Sequence, residues 1–416
     1  MLTTVIDQIC RTQGARVLAG LIRRFGDFDL AEDALQDAFA MALQVWPDRG
    51  LPENPAAWLT TVAQRRALDQ LRSRKRGPLY TDEPPDLAAP DSENLNDPQV
   101  HPADLSGVED DRLRLVFTCC HPAISPQAQT ALALRTLCGL STREIAHAFF
   151  EPEATTAQRL VRAKRKILEA RIPYAVPARE DLPQRLQTVL GVVYLVFNEG
   201  YASTATQGLI RPDLCAEAIR LARLLVELMP QEPEVLALLA LTLLHDARRA
   251  TRMSIDGQLV PLEEQDRSAW NRPAIDEGLV LLDGALAHHR RGPYQLQAAI
   301  AALHAKALRA KDTDWKQIAA LYGGLLREQP SAVVELNAAV ALAMAESPQQ
   351  GLNWIDQLAQ RDELKNYHLL HAARADLLRR MGQFAEARAA YTTALQLVRS
   401  DAERSYLLRR LGECGG

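Results

Sequence analysis

Residues 25–43 read FGDFDLAEDALQDAFAMAL, and residues 54–76 read NPAAWLTTVAQRRALDQLRSRKR. In the first stretch Leu30, Ala34, Leu35, Ala38, Phe39, Ala42 and Leu43 recur at helical spacing, forming one apolar stripe behind a capping Asp29. The opposite side carries Glu32, Asp33, Gln36 and Asp37, a compact acidic and amide-bearing ridge. Taken alone, that ridge reads first as the solvated face of an amphipathic helix. Trp46-Pro47 is expected to close this helix, residues 48–54 to form a polar loop, and Asn54 to cap a second helix with Pro55 in its first turn. The second helix packs through Leu59, Val62, Ala63 and Leu71. Its other side aligns Trp58, Thr61, Arg65, Arg72 and Arg76 along one strip. Such a strip suits a separated DNA strand, because cations neutralise phosphates and flat groups stack on unpaired bases. Asp69 falls within it and is read as a helix-stabilising partner of Arg65 or Arg72 rather than a base contact.

Charge is distributed unevenly along the rest of the chain, although the formal net charge is only −4. Residues 65–76 hold six Lys/Arg against one Asp, residues 159–171 six against one Glu, and residues 79–111 ten Asp/Glu with no Lys or Arg. Two basic helices therefore flank an acidic, Pro-rich linker at residues 77–108. The second basic unit, residues 109–172, carries clear punctuation: Ser125-Pro126 starts a helix, Gly139 ends it, and Ser141 with Glu144 forms a capping box for the next. A turn at Glu151-Pro152-Glu153 leads into a third, strongly basic helix, which gives the pattern of a helix-turn-helix. On that helix Leu160, Ala163 and Ile167 face inward. Thr155, Gln158, Arg159, Arg162 and Arg165 or Lys166 face outward, where Arg and Gln can pair with guanine and adenine edges.

With these residues in place, a resemblance becomes specific. The string AEDALQDAF, a loop, and then the WLTTVA helix resemble region 2 of bacterial sigma-70 factors in order and spacing, over about 55 residues. GLSTREIA followed by ATTAQRLVRA is similar to region 4, with Ala154 and Thr156 standing where the family usually has Gly and Val. The resemblance is to the extracytoplasmic-function, group-four type, in the subgroup with a large carboxy-terminal helical extension. It implies that Glu32, Asp33, Gln36 and Asp37 dock on the β′ coiled coil of core RNA polymerase. It implies that Asp48, Arg49, Asn54, Trp58, Thr61, Arg65, Arg72 and Arg76 serve minus-10 promoter DNA. It further implies that Thr155, Gln158, Arg159, Arg162, Arg165 and Lys166 serve the minus-35 element, with the β flap of polymerase as a second partner.

The remaining sequence bounds the answer from outside. Strand signals are nearly absent, so the whole chain is read as all-α: residues 1–76, residues 109–172, a linker at 173–183, and a helical extension at 184–416. Within the extension Tyr322, Trp354 and Tyr391 lie 32 and 37 residues apart, close to the tetratricopeptide period, so stacked helical pairs are expected. Asn198, Glu199 and Tyr201 precede a Ser/Thr loop and are read as a structural lock in preference to a ligand site. Residues 245–270 offer His245, acids and arginines without a nucleophile signature or a phosphate loop. His288, His289, His368 and His371 are read as surface or satisfied groups. No apolar run approaches a membrane span, the amino terminus lacks a secretory signal, and a cytoplasmic protein is expected. The six cysteines, Cys10, Cys119, Cys120, Cys138, Cys215 and Cys414, read as reduced packing thiols; Cys119-Cys120-His121 is the best metal candidate and a weak one. No cofactor, metal or catalytic centre is expected, and an unidentified protein regulator of the extension is. The competing reading is a helix-turn-helix transcriptional regulator with a repeat-like protein-interaction scaffold.

Overall fold

The structure, a computed structural model, describes residues 2–76, 108–149, 151–178, 180–202, 210–398 and 400–415. Most of the acidic linker expected at residues 77–108 thus lies outside the described residues. Among them the chain is all-α with no strand; one isolated antiparallel bridge joins Met253 and Leu259. Two compact units, Met1–Val196 and Phe197–Gly416, divide within one helix.

The first unit holds α1 (Leu2–Phe25), α2 (Phe28–Arg49), α3 (Pro55–Arg76), α4 (Val108–Cys119), α5 (Pro126–Leu137), α6 (Thr142–Ala148), α7 (Glu153–Glu169) and most of α8 (Leu182–Tyr201). Helix α2 packs on both α1 and α3, burying Leu21, Ile22, Leu30, Trp46 and Leu59 almost completely. Its cap is Asp27, not Asp29: the Asp27 carboxylate accepts from the backbone N–H groups of Asp29 and Leu30. Nor does Pro47 end it. The helix runs on to Arg49 and stops at Gly50, whose φ of 81° suits a residue without Cβ. The bond forfeited at Pro47 would have gone to Leu43, on the exposed side, and the buried Trp46 ring anchors the last turn. Leu43 is accordingly 47% exposed instead of joining the apolar stripe, while the half-buried Phe39 packs on Gly14 of α1. Helices α4 and α5 also pack on α1. The nearly buried Asp111 carboxylate at the start of α4 pairs with Arg23 at 3.4 Å and Arg114 at 2.9 Å, and the Tyr174 hydroxyl lies 3.1 Å from the carbonyl of Ala19 and 2.8 Å from that of Asp111. Residues 173–183, expected as a linker, keep Pro173 and Pro177 outside any helix, whereas Leu182 and Pro183 already open α8.

The second unit continues with α9 (Pro212–Leu228), α10 (Pro233–Asp246), α11 (Arg272–Leu286), α12 (Pro293–Lys306), α13 (Trp315–Glu328), α14 (Ala332–Ala345), α15 (Pro348–Ala359), α16 (His368–Arg380), α17 (Phe384–Leu397) and α18 (Asp401–Gly412). Neighbours pack in sequence, α13 on α14, α14 on α15, α16 on α17 and α17 on α18, as short connections dictate. Side-chain caps from Asn271, Asp314, Ser331, Ser347 and Ser400 satisfy first-turn N–H groups, each stabilising its helix by about 1 kcal/mol. Helices α14 and α15 approach so closely that any Cβ on Gly351 would run into Ala343 and the carbonyl of Ala339.

Candidate nucleic-acid interface

On α3 the Asn54 side chain caps as expected, accepting from the Ala57 N–H at 3.0 Å. Trp58 is half-buried, its ring edge-on to Trp46 with centroids 5.2 Å apart, so one aromatic is held rigidly at the edge of the core. Thr61 turns its hydroxyl back to the carbonyl of Ala57 at 2.9 Å. Arg65 and Arg72 are exposed along the same helix, and Arg72 lies 3.4 Å from Asp69, the local pairing that the spacing suggested. The side chain of Arg76 lies outside the described residues. Asp48 and Arg49 are exposed, but they belong to the last turn of α2 and not to a loop.

The three helices α5, α6 and α7 carry the second group. The capping box is formed: Glu144 accepts from the backbone and hydroxyl of Ser141, each at 2.7 Å, and Ser141 Oγ accepts from the Glu144 N–H at 3.2 Å. Leu160, Ala163 and Ile167 are buried, and Thr155, Gln158, Arg162, Arg165 and Lys166 are exposed. Thr155, Gln158, Arg159, Arg162 and Lys166 line a groove of about 400 Å³ with Ala123–Ser125 at the entry to α5. Arg165 stands apart and pairs with Glu169 at 2.6 Å. Arg159 is more constrained than its neighbours: it grips Glu151 bidentately, and its guanidinium lies 5.5 Å from the centre of the Phe149 ring. Thr156, fully buried, donates to the same carboxylate. These bonds, Arg159 first, hold the Glu151 carboxyl below its ordinary value and fix the turn that leads into α7.

The acidic ridge of α2 is divided. Asp33, Gln36 and Asp37 are exposed, with Gln70 Nε2 3.5 Å from Asp37. Glu32 instead accepts from Lys164 of α7 at 2.8 Å and lies 3.8 Å from Arg135 of α5, while Lys164 also donates to Asp29 at 2.9 Å. Burial opposes the ammonium charge, but the Glu32 and Asp29 carboxylates outweigh it and raise the Lys164 pKa. Sequence reasoning missed Lys164, since nothing in a run of six cations marks the one that turns inward.

Among the described residues no metal-binding arrangement forms around Cys119-Cys120-His121. Both thiols are buried, burial pushes Cys119 up to about 12, and its sulfur faces Thr136 Oγ1 at 3.5 Å. Among the described residues no three His, Cys, Asp or Glu side chains cluster as a metal site. In the second unit the residues around 245–270 tie their own segment together. Arg252 donates to the Tyr201 carbonyl and stacks 3.8 Å from the centre of its ring; Trp270 donates to Thr251 at 3.0 Å; Arg267 binds the carbonyls of His304 and Ala307 at the end of α12. Cations placed against helix carboxyl ends are held by the dipole and the unpaired carbonyls, which accounts for arginines so deeply placed.

Residues 11–77, spanning α2 and α3, match the sigma-70 region 2 family, and residues 185–286 match a family of unknown function, DUF6596. An uncharacterized protein of Rhizobium meliloti is 43% identical over 98% of this chain and 95% of its own length. The probable ECF RNA polymerase sigma factor SigI of Mycobacterium tuberculosis is 30% identical over 39% of this chain, which spans about half, 54%, of that relative. The ECF RNA polymerase sigma-E factor of Haemophilus influenzae is 29% identical over 36% of this chain and 79% of its own length. No helix among the described residues is long and apolar enough to cross a membrane. The chain therefore belongs to one family with the Rhizobium meliloti protein, and its amino-terminal helices match the sigma-70 region 2 family.

Proposed function

We propose that the chain is a sigma factor that binds core RNA polymerase and directs it to promoters, with no enzymatic activity of its own. The observation that carries this reading is the coincidence of the region 2 match with helices that expose Asp33, Gln36 and Asp37 on one element and Arg65 and Arg72 on the next. The acids suit the β′ coiled coil; the half-buried Trp58 and the α3 cations suit the opened minus-10 strand, with Asp48, Arg49 and Asn54 at its edge. Helices α5–α7 act as a helix-turn-helix of the region 4 kind, with Thr155, Gln158, Arg162 and Lys166 facing the minus-35 major groove. The 164 residues aligned with SigI are longer than region 2 alone, which supports including this second group. Arg159 acts there as the residue that sets the angle of α7, and residues 184–416 modulate activity.

The test is in-vitro transcription with purified core polymerase and promoter templates selected by the protein. Promoter-dependent run-off is expected. Its absence, both for the full chain and for a chain lacking residues 184–416, would reject the sigma reading in favour of a DNA-binding regulator.

A further inference from the structure

Between α12 and α13, beside the end of α11, lies an open groove of about 350 Å³. Its floor is apolar: Leu296 and Leu321 are half-buried, and Leu286 is 47% exposed. On its rim stand Arg291 and Arg327, both exposed. Among the described residues neither guanidinium has a carboxylate within ion-pair distance, whereas the adjacent Arg290 pairs with Glu232 at 3.0 Å. Apolar surface and unmatched positive charge thus occupy one concavity.

A second observation concerns the backbone beneath it. Gly323 and Gly324 lie side by side in the interior of α13, where each glycine costs about 0.5–1 kcal/mol relative to alanine. Packing within the chain does not require them. A Cβ on Gly323 would meet nothing within 4 Å, and one on Gly324 would come no nearer than 3.4 Å to Leu296, an ordinary contact. Gly351 shows what a packing requirement looks like, since a Cβ there collides with Ala343. The smallness of Gly324 instead leaves the groove open from above.

We infer that this groove docks an acidic, amphipathic segment of a protein partner, seating apolar side chains on Leu286, Leu296 and Leu321 and carboxylates on Arg291 and Arg327. Charge complementarity selects the sign of the occupant, and the leucine floor selects a peptide over a bare phosphate backbone, which would leave that surface uncovered. The inference stands apart from the promoter reading, because the groove lies wholly within the second unit and its binding assay needs neither polymerase nor DNA.

The experiment is fluorescence anisotropy on the full chain with a fluorescein-labelled synthetic peptide in which Leu alternates with Glu. Saturable binding is expected, weakened about tenfold by Arg291→Ala and by Arg327→Ala, since each removes one charge-assisted contact. Gly324→Leu fills the groove and is expected to abolish binding. Gly324→Ala checks the fold, because it fits sterically and is expected to raise the melting temperature. Absence of saturable binding would overturn the inference, as would equal binding of the Lys-containing counterpart or full binding by a folded Gly324→Leu protein. Concentration-dependent self-association that Gly324→Leu removes would give the groove to a second copy of the chain and would equally overturn it.

Discussion

Arg159 and Arg162 lie three positions apart on α7, yet one guanidinium is spent on Glu151 and Phe149 while the other faces solvent in the groove beside α5. Arg162→Ala is therefore expected to weaken promoter binding by about 1–3 kcal/mol, with the loss concentrated at one minus-35 position if a base is read. Titration of promoter fragments differing at single positions measures it, and a uniform loss across sequences would assign Arg162 to a phosphate. Arg159→Ala should instead lower the melting temperature, because it strips a carboxylate of its strongest partner at a cost of about 1–3 kcal/mol. The exposure of Thr155, Gln158, Arg162, Arg165 and Lys166 on α7 was legible from helical spacing alone, that of the half-buried Arg159 was not, and of the two arginines within reach of Asp69 it is Arg72 that pairs with it. The Arg159–Glu151 pair spans a turn, and Lys164 reaches an acid 132 positions away, so periodicity within one helix contains neither.

At the scale of the element, the sequence is most legible where a helix boundary is chemical and least where it is tertiary. Asn54, Ser141 and Glu144 act as their side chains dictate. Pro47 does not, because burial of Trp46 carries α2 two residues past the proline. The turn between α16 and α17 offers a clean measure of backbone demand. Gly382 has φ of 75°, and its N–H and that of Gln383 close the end of α16 on the carbonyls of Arg379 and Leu378 at 3.0 and 2.9 Å. Gly382→Ala should destabilise by about 1 kcal/mol, since an L side chain is strained there. Gly323→Ala, inside a regular helix, should stabilise by about 0.5–1 kcal/mol. Thermal melts of the two variants are expected to shift in opposite directions.

At the scale of the whole molecule, buried histidines tie stability to pH. In the second unit, burial, with the guanidiniums of Arg248 and Arg267 behind it, pushes His304 from 6.5 down to about 4, and burial likewise drives His245 well down. The folded unit then binds fewer protons than the unfolded chain between those values. Stability should be full above pH 6.5 and fall as pH drops toward 4, by about 1.4 kcal/mol per pH unit for each histidine so held. Denaturant melts across that range check it, and His304→Gln should flatten the slope. The all-α architecture was legible throughout from helical periodicity, but the buried Arg267 and the buried histidines were not, because Arg267 is held by carbonyls at the end of another helix and the histidines are shifted by tertiary burial beside arginines. In the first unit one carboxylate has consequences beyond its own contacts. Lys164 sits on the Oε2 oxygen of Glu32 at 2.8 Å, so a visitor that takes that oxygen competes with Lys164, and anything that draws Lys164 away leaves the oxygen open to a visitor. Reciprocity of this kind is a thermodynamic necessity: capture of Glu32 and release of Lys164 must favour each other by the same free energy.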